Sequence, residues 1–121
     1  MEEMAKRPAK LSWAVSATVP MSAETAWQVL FIHTGLDAKA AEGSTGKRVF
    51  ITATFGCVGV WMVQLAKWTG VEVIATSSPN SVEWVRSLGA EVIDYTKTEL
   101  KEWARRAGKK FDLAIDCIGR K

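Results

Sequence analysis

Seven residues, Ala53-Thr54-Phe55-Gly56-Cys57-Val58-Gly59, stand between a strand-forming run, Val49 to Thr52, and an apolar stretch, Val60 to Trp68, that has no Gly or Pro. Small residues at such a junction predict a strand that turns sharply into a helix. A turn of that kind leaves backbone N–H groups and the positive end of the helix dipole facing outward, where a pyrophosphate can bind without a dedicated side chain. The dinucleotide fingerprint has Gly at three spaced positions, occupied here by Ala53, Gly56 and Gly59. Ala53 is small enough to keep the turn tight, Gly56 lets phosphates approach the backbone, and Gly59 lets the helix pack closely on the strand. Taken alone, the seven residues fit a strand-to-helix turn without a ligand equally well.

Other residues able to do chemistry carry weaker signals. Gly43-Ser44-Thr45-Gly46-Lys47 has the wrong glycine spacing for a phosphate-binding loop, is followed by Arg48 where Ser or Thr is required, and precedes a strand instead of following one. His33, the single histidine, could act as an acid or base, but no partner stands near it in sequence. Cys57, at the start of the helix, is placed where a thiolate is stabilised, and it also serves as a small packing residue. Cys57 and Cys117 have no zinc-site or disulfide spacing and read as reduced thiols near the sheet edge. Arg105, Arg106, Lys109 and Lys110 cluster at a helix end, where the dipole accounts for them.

The elements that must position these residues alternate strand and helix. Strands are expected at Arg48–Ala53, Val71–Thr76, Glu91–Ile93 and Phe111–Ile115. The intervening helices run from Cys57 to Thr69, stopped by Gly70; from a Ser78 cap and Pro79 to Leu88, stopped by Gly89; and from a Thr96-Lys97-Thr98-Glu99 capping box to Ala107. Strands joined by helical crossovers form a parallel sheet, so the fold class is α/β. Ahead of this unit, Met1–Ser12 reads as extended, Ser22–Ile32 as a helix capped by Ser22 with Ala26, Trp27, Leu30 and Phe31 in one stripe, and Thr34–Lys47 as a surface connection.

A chain of 121 residues is about one domain, and its 48% hydrophobic and 24% charged residues are ordinary for a globular protein. A net charge of +3 gives no argument for nucleic acid. No apolar run approaches the roughly 18 residues of a membrane span, and Met1–Lys10 lacks the apolar core of a signal peptide, so a cytoplasmic protein is expected. Six Trp in so short a chain argue for broad buried or interfacial surfaces.

Pro20-Met21-Ser22-Ala23-Glu24-Thr25-Ala26-Trp27, Gly46-Lys47-Arg48-Val49-Phe50-Ile51 leading into the turn, Val63-Gln64-Leu65-Ala66-Lys67, Ser87-Leu88-Gly89-Ala90, Ile93-Asp94-Tyr95 and Phe111-Asp112-Leu113-Ala114-Ile115-Asp116-Cys117-Ile118-Gly119 follow one another in a telling order. From about Pro8 onward the chain resembles the medium-chain dehydrogenase/reductase superfamily, and most of all its quinone oxidoreductase and enoyl reductase branch. The resemblance implies a Rossmann-type three-layer αβα arrangement, partial here, with four strands in the order 3-2-1-4. It implies a two-domain parent enzyme, of which residues 1–45 would be an N-terminal segment with an interdomain-type helix and residues 46–121 a nucleotide-binding half. The fourth strand would then be an open edge, which invites association with another chain and leaves a homo-oligomer open.

The same resemblance implies hydride transfer from NADPH to a quinone, enone or carbonyl substrate by a zinc-independent enzyme, with no reductase turnover expected from this chain by itself. Expected cofactor contacts are Thr25, Ala53, Gly56, Cys57, Val58, Gly59, Ser77, Ser78, Tyr95 and Cys117; no catalytic residue and no metal ligand is assigned. Ile74 to Asn80 lacks the carboxylate that an NAD-preferring site usually carries about 20 residues past the turn, which favours NADP(H), although Asn80 and Ser81 stand where similar reductases often have Lys or Arg. Thr25 and Tyr95 also have plain readings, a helix-surface hydroxyl and a strand-end tyrosine. Alternatives of other classes are an interaction module that has kept the fold without the ligand, a zinc-dependent alcohol dehydrogenase-like domain, and a reductase domain of a multidomain synthase. The expected partners are a nicotinamide dinucleotide and a small-molecule substrate, with no nucleic acid and no membrane.

Overall fold

The computed structural model describes residues 5–36, 46–108 and 110–119. Two helices precede the sheet: α1 (Trp13–Ala17), with the Ser12 hydroxyl accepting from the Val15 N–H at 3.2 Å, and α2 (Pro20–Trp27). Then β1 (Arg48–Ile51), α3 (Cys57–Trp68), β2 (Glu72–Ser77), α4 (Val82–Ser87), β3 (Glu91–Asp94), α5 (Leu100–Ala107) and β4 (Leu113–Ile115) alternate as the sequence predicts. All four strands are parallel, in the order β3-β2-β1-β4. α3 and α4 end where Gly70 (φ +81°) and Gly89 (φ +96°) take left-handed conformations that an L side chain resists.

Side chains alternate across each strand, and this sorts the sheet into two unequal faces. Val49 and Ile51 of β1, Val73 and Ala75 of β2, and Ile115 of β4 join Met62, Val63 and Ala66 of α3, Val85 of α4 and Ala26 and Leu30 from the preceding segment in one buried core. On the other face Phe50 meets Phe111 with ring centroids 5.3 Å apart, and Trp103 of α5 stacks on Phe111 at 6.0 Å. α3 and α4, which connect β1, β2 and β3, cover the first face. α5, the crossover to β4, covers the second.

Several local expectations give way to specific competing bonds. α2 starts at Pro20, with Pro at its first position and Val19 as cap, so Ser22 lies inside the helix. It runs on into a π-helical turn, Gln28–His33. α1 lies in a stretch for which no helix is predicted. Ser78 does not cap α4: its hydroxyl pairs with that of Ser81 at 2.7 Å, and a 3₁₀ turn, Pro79–Ser81, leads into the helix. The Thr96 capping box does not form, because the Thr96 hydroxyl and N–H both donate to Asp94 Oδ1, at 2.6 and 2.9 Å. α5 begins only at Leu100, behind an uncapping Glu99. Residues 1–4, most of the 34–47 connection, Lys109 and the last two residues fall outside the described part.

Candidate nucleotide-binding site

The turn after β1 is held from behind and bare in front. The Thr54 hydroxyl, fully buried, donates to the Thr76 carbonyl at 2.9 Å, which ties the turn to β2. Ala53 has φ +52°, the single non-glycine residue in the left-handed region among the described residues. The first fingerprint position therefore uses a conformation that Gly adopts freely and Ala adopts at about 1–2 kcal/mol. Gly56 is the N-cap of α3, extended at φ −72° and ψ 163°, so its usefulness lies in lacking a side chain and not in its dihedral freedom. Its N–H donates to the Ala53 carbonyl at 3.0 Å, and its carbonyl accepts the first helical bond, from Val60 N–H at 3.0 Å. The N–H groups of Cys57, Val58 and Gly59 are those a helix of this length leaves uncapped, and no side chain at Gly56 covers them. Gly59 is buried against the turn: a Cβ there would run into the Ala53 carbonyl and lie 2.8 Å from Thr54 Cα. Only Gly lets α3 approach β1 this closely.

Beside the turn, at the carboxyl ends of the strands, Thr52, Thr76, Tyr95, Leu100, Asp116 and Ile118 surround a cavity of about 190 Å³. The chain moves from β1 outward to β3 and then returns to β4 on the other side of β1, so β1 and β4 flank a topological switch point. Ligands of open α/β sheets bind in crevices of this kind. A larger opening of about 510 Å³ lies at the opposite ends of the strands, lined by Lys47, Arg48, Glu72, Lys110 and Asp112. Two of its acidic groups are engaged by Arg48: the guanidinium Nε pairs with Glu72 at 2.5 Å, and the backbone N–H donates to Asp112 at 2.7 Å.

Of the residues singled out from the sequence, Ala53, Gly56, Cys57, Val58 and Gly59 are brought together in the turn. Tyr95 lies in the crevice with its side chain exposed. Cys117 follows β4; its N–H donates to Thr52 Oγ1 at 3.1 Å and its Sγ lies 3.5 Å from Met62 Sδ. Burial, and then the neighbouring Asp116 carboxylate, push the Cys117 thiol above its ordinary pKa, so it stays protonated. Ser77 is 3% exposed, and its hydroxyl finds no hydrogen-bond partner. Ser78 is half-buried. Thr25 is exposed on α2, and its hydroxyl donates to the Met21 carbonyl at 2.8 Å; it lines neither the crevice nor the turn. His33 is exposed at the end of the π-helical turn. Of the basic cluster, Arg106 pairs with Glu102 within α5.

Thr52, Thr76, Asp116 and Ile118 are not among the contacts expected from the sequence, although Asp116 and Ile118 stand within one of the stretches that carry the resemblance. The signal that could find them is the strand order itself, because each sits at or just beyond the carboxyl end of β1, β2 or β4. Phe55 and Trp84 are also missed. Their rings meet edge to face at 5.5 Å over a shallow groove of about 510 Å³ shared with Cys57, Val60 and Trp61. Among the described residues no three His, Cys, Asp or Glu side chains are grouped to hold a metal ion, and no helix is long and apolar enough to cross a membrane.

Residues 57–121 match the family model described as zinc-binding dehydrogenase. The chain is 44% identical over 123 residues to a probable zinc-binding oxidoreductase, mitochondrial, of Arthroderma benhamiae, covering 98% of this chain and 37% of that protein. It is 38% identical over 115 residues to a chloroplast envelope quinone oxidoreductase homolog of Arabidopsis thaliana, covering 93% of this chain and 34% of that one. Among solved structures, Escherichia coli quinone oxidoreductase complexed with NADPH superimposes with a TM-score of 0.81 at 25% identity, over 97% of this chain and 35% of the enzyme. The chain thus spans about a third of the proteins it matches. The compartments in the two relatives' names give the cytoplasmic expectation no support. The zinc of the family description finds no ligand set among the described residues. Turn, strand order and matches agree, and the chain belongs to the zinc-binding dehydrogenase family of the medium-chain dehydrogenase/reductase superfamily, on its quinone oxidoreductase-like side.

Proposed function

We propose that this chain is the dinucleotide-binding part of a zinc-independent, NADPH-dependent oxidoreductase that reduces a quinone, enone or carbonyl compound. The observation that carries the reading is the uncapped start of α3 beside the switch-point crevice, where Cys57, Val58 and Gly59 offer N–H groups and Gly56 offers no competing side chain. The residues fit the group: a diphosphate accepts from those N–H groups, a purine ring fits the crevice, and the unpartnered Ser77 hydroxyl sits at the end of β2. When bound, the cofactor supplies the hydride. The chain's own work is to hold the diphosphate at the turn and to seat the adenosine end between Thr76 and Tyr95. Residues 46–121 form the nucleotide-binding half in this reading, and residues 1–45 carry the helix that would join it to a substrate domain. The Escherichia coli enzyme, which holds NADPH, supports the choice of cofactor. So does the end of β2, where Ser77 and Ser78 take the place of a carboxylate that would repel a 2′-phosphate.

Tryptophan fluorescence titration with NADPH and NADH tests the reading, with Trp61 on α3 as reporter. NADPH should bind several-fold more tightly than NADH. Gly56→Asp should abolish binding of both and leave the fold intact, because Asp is a favoured N-cap at this exposed position and its carboxylate would occupy the phosphate place. A saturable titration that Gly56→Asp leaves unchanged would remove the turn from the site. A flat titration of the parent would leave an interaction module with a dinucleotide-binding fold. Stoichiometric zinc in the purified protein would overturn the zinc-independent reading.

A further inference from the structure

Past its last rung, Ile51 opposite Ile115, the pairing of β1 with β4 is continued by side chains. Thr52 follows β1 and Asp116 follows β4, so the parallel register makes them the next pair, on the face that carries Phe50 and Ala114. Thr52 Oγ1 donates to Asp116 Oδ1 at 2.6 Å and accepts from Cys117 N–H at 3.1 Å. The same Asp116 oxygen accepts from Ile118 N–H at 3.0 Å, and Thr52 N–H donates to the Ile115 carbonyl at 3.0 Å. Thr52, Asp116 and Ile118 are half of the crevice lining. β1 and β4 part company here, since the chain leaves β1 for the α3 side, and past the Thr52 N–H to Ile115 carbonyl bond the two are joined through the Thr52 side chain.

We infer that Thr52 and Asp116 form a latch that sets the width of the switch-point crevice and so positions the adenosine end of the dinucleotide; this rests on the function proposed above. The cavity of about 190 Å³ is below the size of pockets that hold whole drug-sized ligands and suits a single ring system. The latch also gives the crevice a carboxylate. A neutral base is accepted there, whereas a diphosphate is repelled toward the N–H groups of α3, so the latch assigns the two parts of the ligand to two places. Thr52 acts through Asp116 and through the backbone of Cys117 and Ile118. Both are positioning residues, and neither is asked to take part in hydride transfer.

Two variants of the 121-residue protein separate the latch from general stability. Thr52→Val keeps the shape and removes the hydroxyl; Asp116→Asn removes the charge and keeps an acceptor at Oδ1. AMP, nicotinamide mononucleotide and NADPH are titrated separately by calorimetry, with the folded fraction checked by thermal melting. Thr52→Val should weaken AMP and NADPH about ten-fold, the scale of one charge-assisted hydrogen bond, and leave nicotinamide mononucleotide unchanged. Asp116→Asn, which keeps the acceptor for Thr52 and removes the charge that repels phosphate, should weaken AMP less than Thr52→Val does. Amide exchange at Cys117 and Ile118 should quicken in Thr52→Val alone. Unchanged AMP affinity in Thr52→Val overturns the latch, as does equal weakening of AMP and nicotinamide mononucleotide, which is the mark of a merely structural defect. A parent protein that binds none of the three overturns the dinucleotide reading and the latch's role with it, whereas a parent that binds beside an unaffected Thr52→Val sinks the latch alone.

Discussion

The two faces of the sheet are built from the same four strands and share little else. Under α3 and α4, side chains from seven elements close into a core in which Leu30, Val49, Ile51, Val63 and Val85 are fully buried. Under α5 the contact is an aromatic file, Phe50, Phe111 and Trp103, and none of Leu100 to Arg106 is buried. The first face carries the stability. The second, thinly covered, is where Thr52, Thr76 and Asp116 leave room for the crevice. On the function proposed above, this face admits a flat ring between its strands and α5, which a helix packed to interior density would exclude.

Truncation of one residue on each face puts this contrast to its hardest test. Leu30→Ala should cost about 3 kcal/mol in urea denaturation, because the Leu30 side chain is fully buried and the cavity left behind has rigid walls. Trp103→Ala, although it removes far more atoms, should cost about 1 kcal/mol, since the ring is half-buried in a single stack. Equal costs would erase the distinction between the faces. At the turn between them, Ala53→Gly should raise stability by about 1 kcal/mol by relieving the left-handed Ala. A loss of stability there would mean that the entropy of the added Gly outweighs the relief.

The thiols report on the dense face with a smaller effect. Cys117 packs against it through Met62, and its pKa is raised in the folded protein above the ordinary value of 9.0. A raised folded pKa means that its contribution to stability is complete below pH 9.0 and is lost as pH rises through the folded value. Cys117→Ala should therefore flatten the alkaline limb of the stability curve, beside a loss of packing that does not depend on pH. At pH 8, iodoacetamide should alkylate the exposed Cys57 well before Cys117. The reverse order would show that the strand end breathes more than the helix start.

The smallest effect belongs to the acid side of the sheet edge. The Thr96 hydroxyl donates to Asp94 and is the main cause holding that carboxyl below its ordinary pKa of 3.8. The stabilisation is present above the ordinary value and fades as pH falls through the lowered one. Thr96→Val should move the Asp94 titration seen by NMR upward, toward 3.8, with little change in the melting temperature.

These contrasts also mark what the sequence discloses and what it conceals. The four strands follow from β-branched and apolar runs punctuated by Gly70, Gly89 and Gly108, local signals that need no tertiary information, whereas their order is what the family resemblance implies. The turn is legible for the same reason, down to the requirement for Gly59. Ser77 is harder to read: β2 is covered on both faces, so alternation cannot say that its hydroxyl is buried. The capping of α5 fails because Asp94, two residues before Thr96, competes for the same hydroxyl. Thr52 and Asp116 stay invisible for a different reason. Thr52 stands one residue before the turn motif and Asp116 in a distant stretch, and only the finished sheet brings them together.

The separation of those two residues along the chain has a consequence in time. β1 meets β2 across a span of 24 residues, as in the Arg48–Glu72 pair, but the Thr52–Asp116 bond closes a span of 64. Closing the longer loop costs more entropy, and parallel pairings of high sequence separation are slow to form. The β1–α3–β2 unit can assemble as soon as its own residues are available, with the glycine turn already shaped. On this ground β4 is expected to dock last, with one flank of β1 open to solvent until it does.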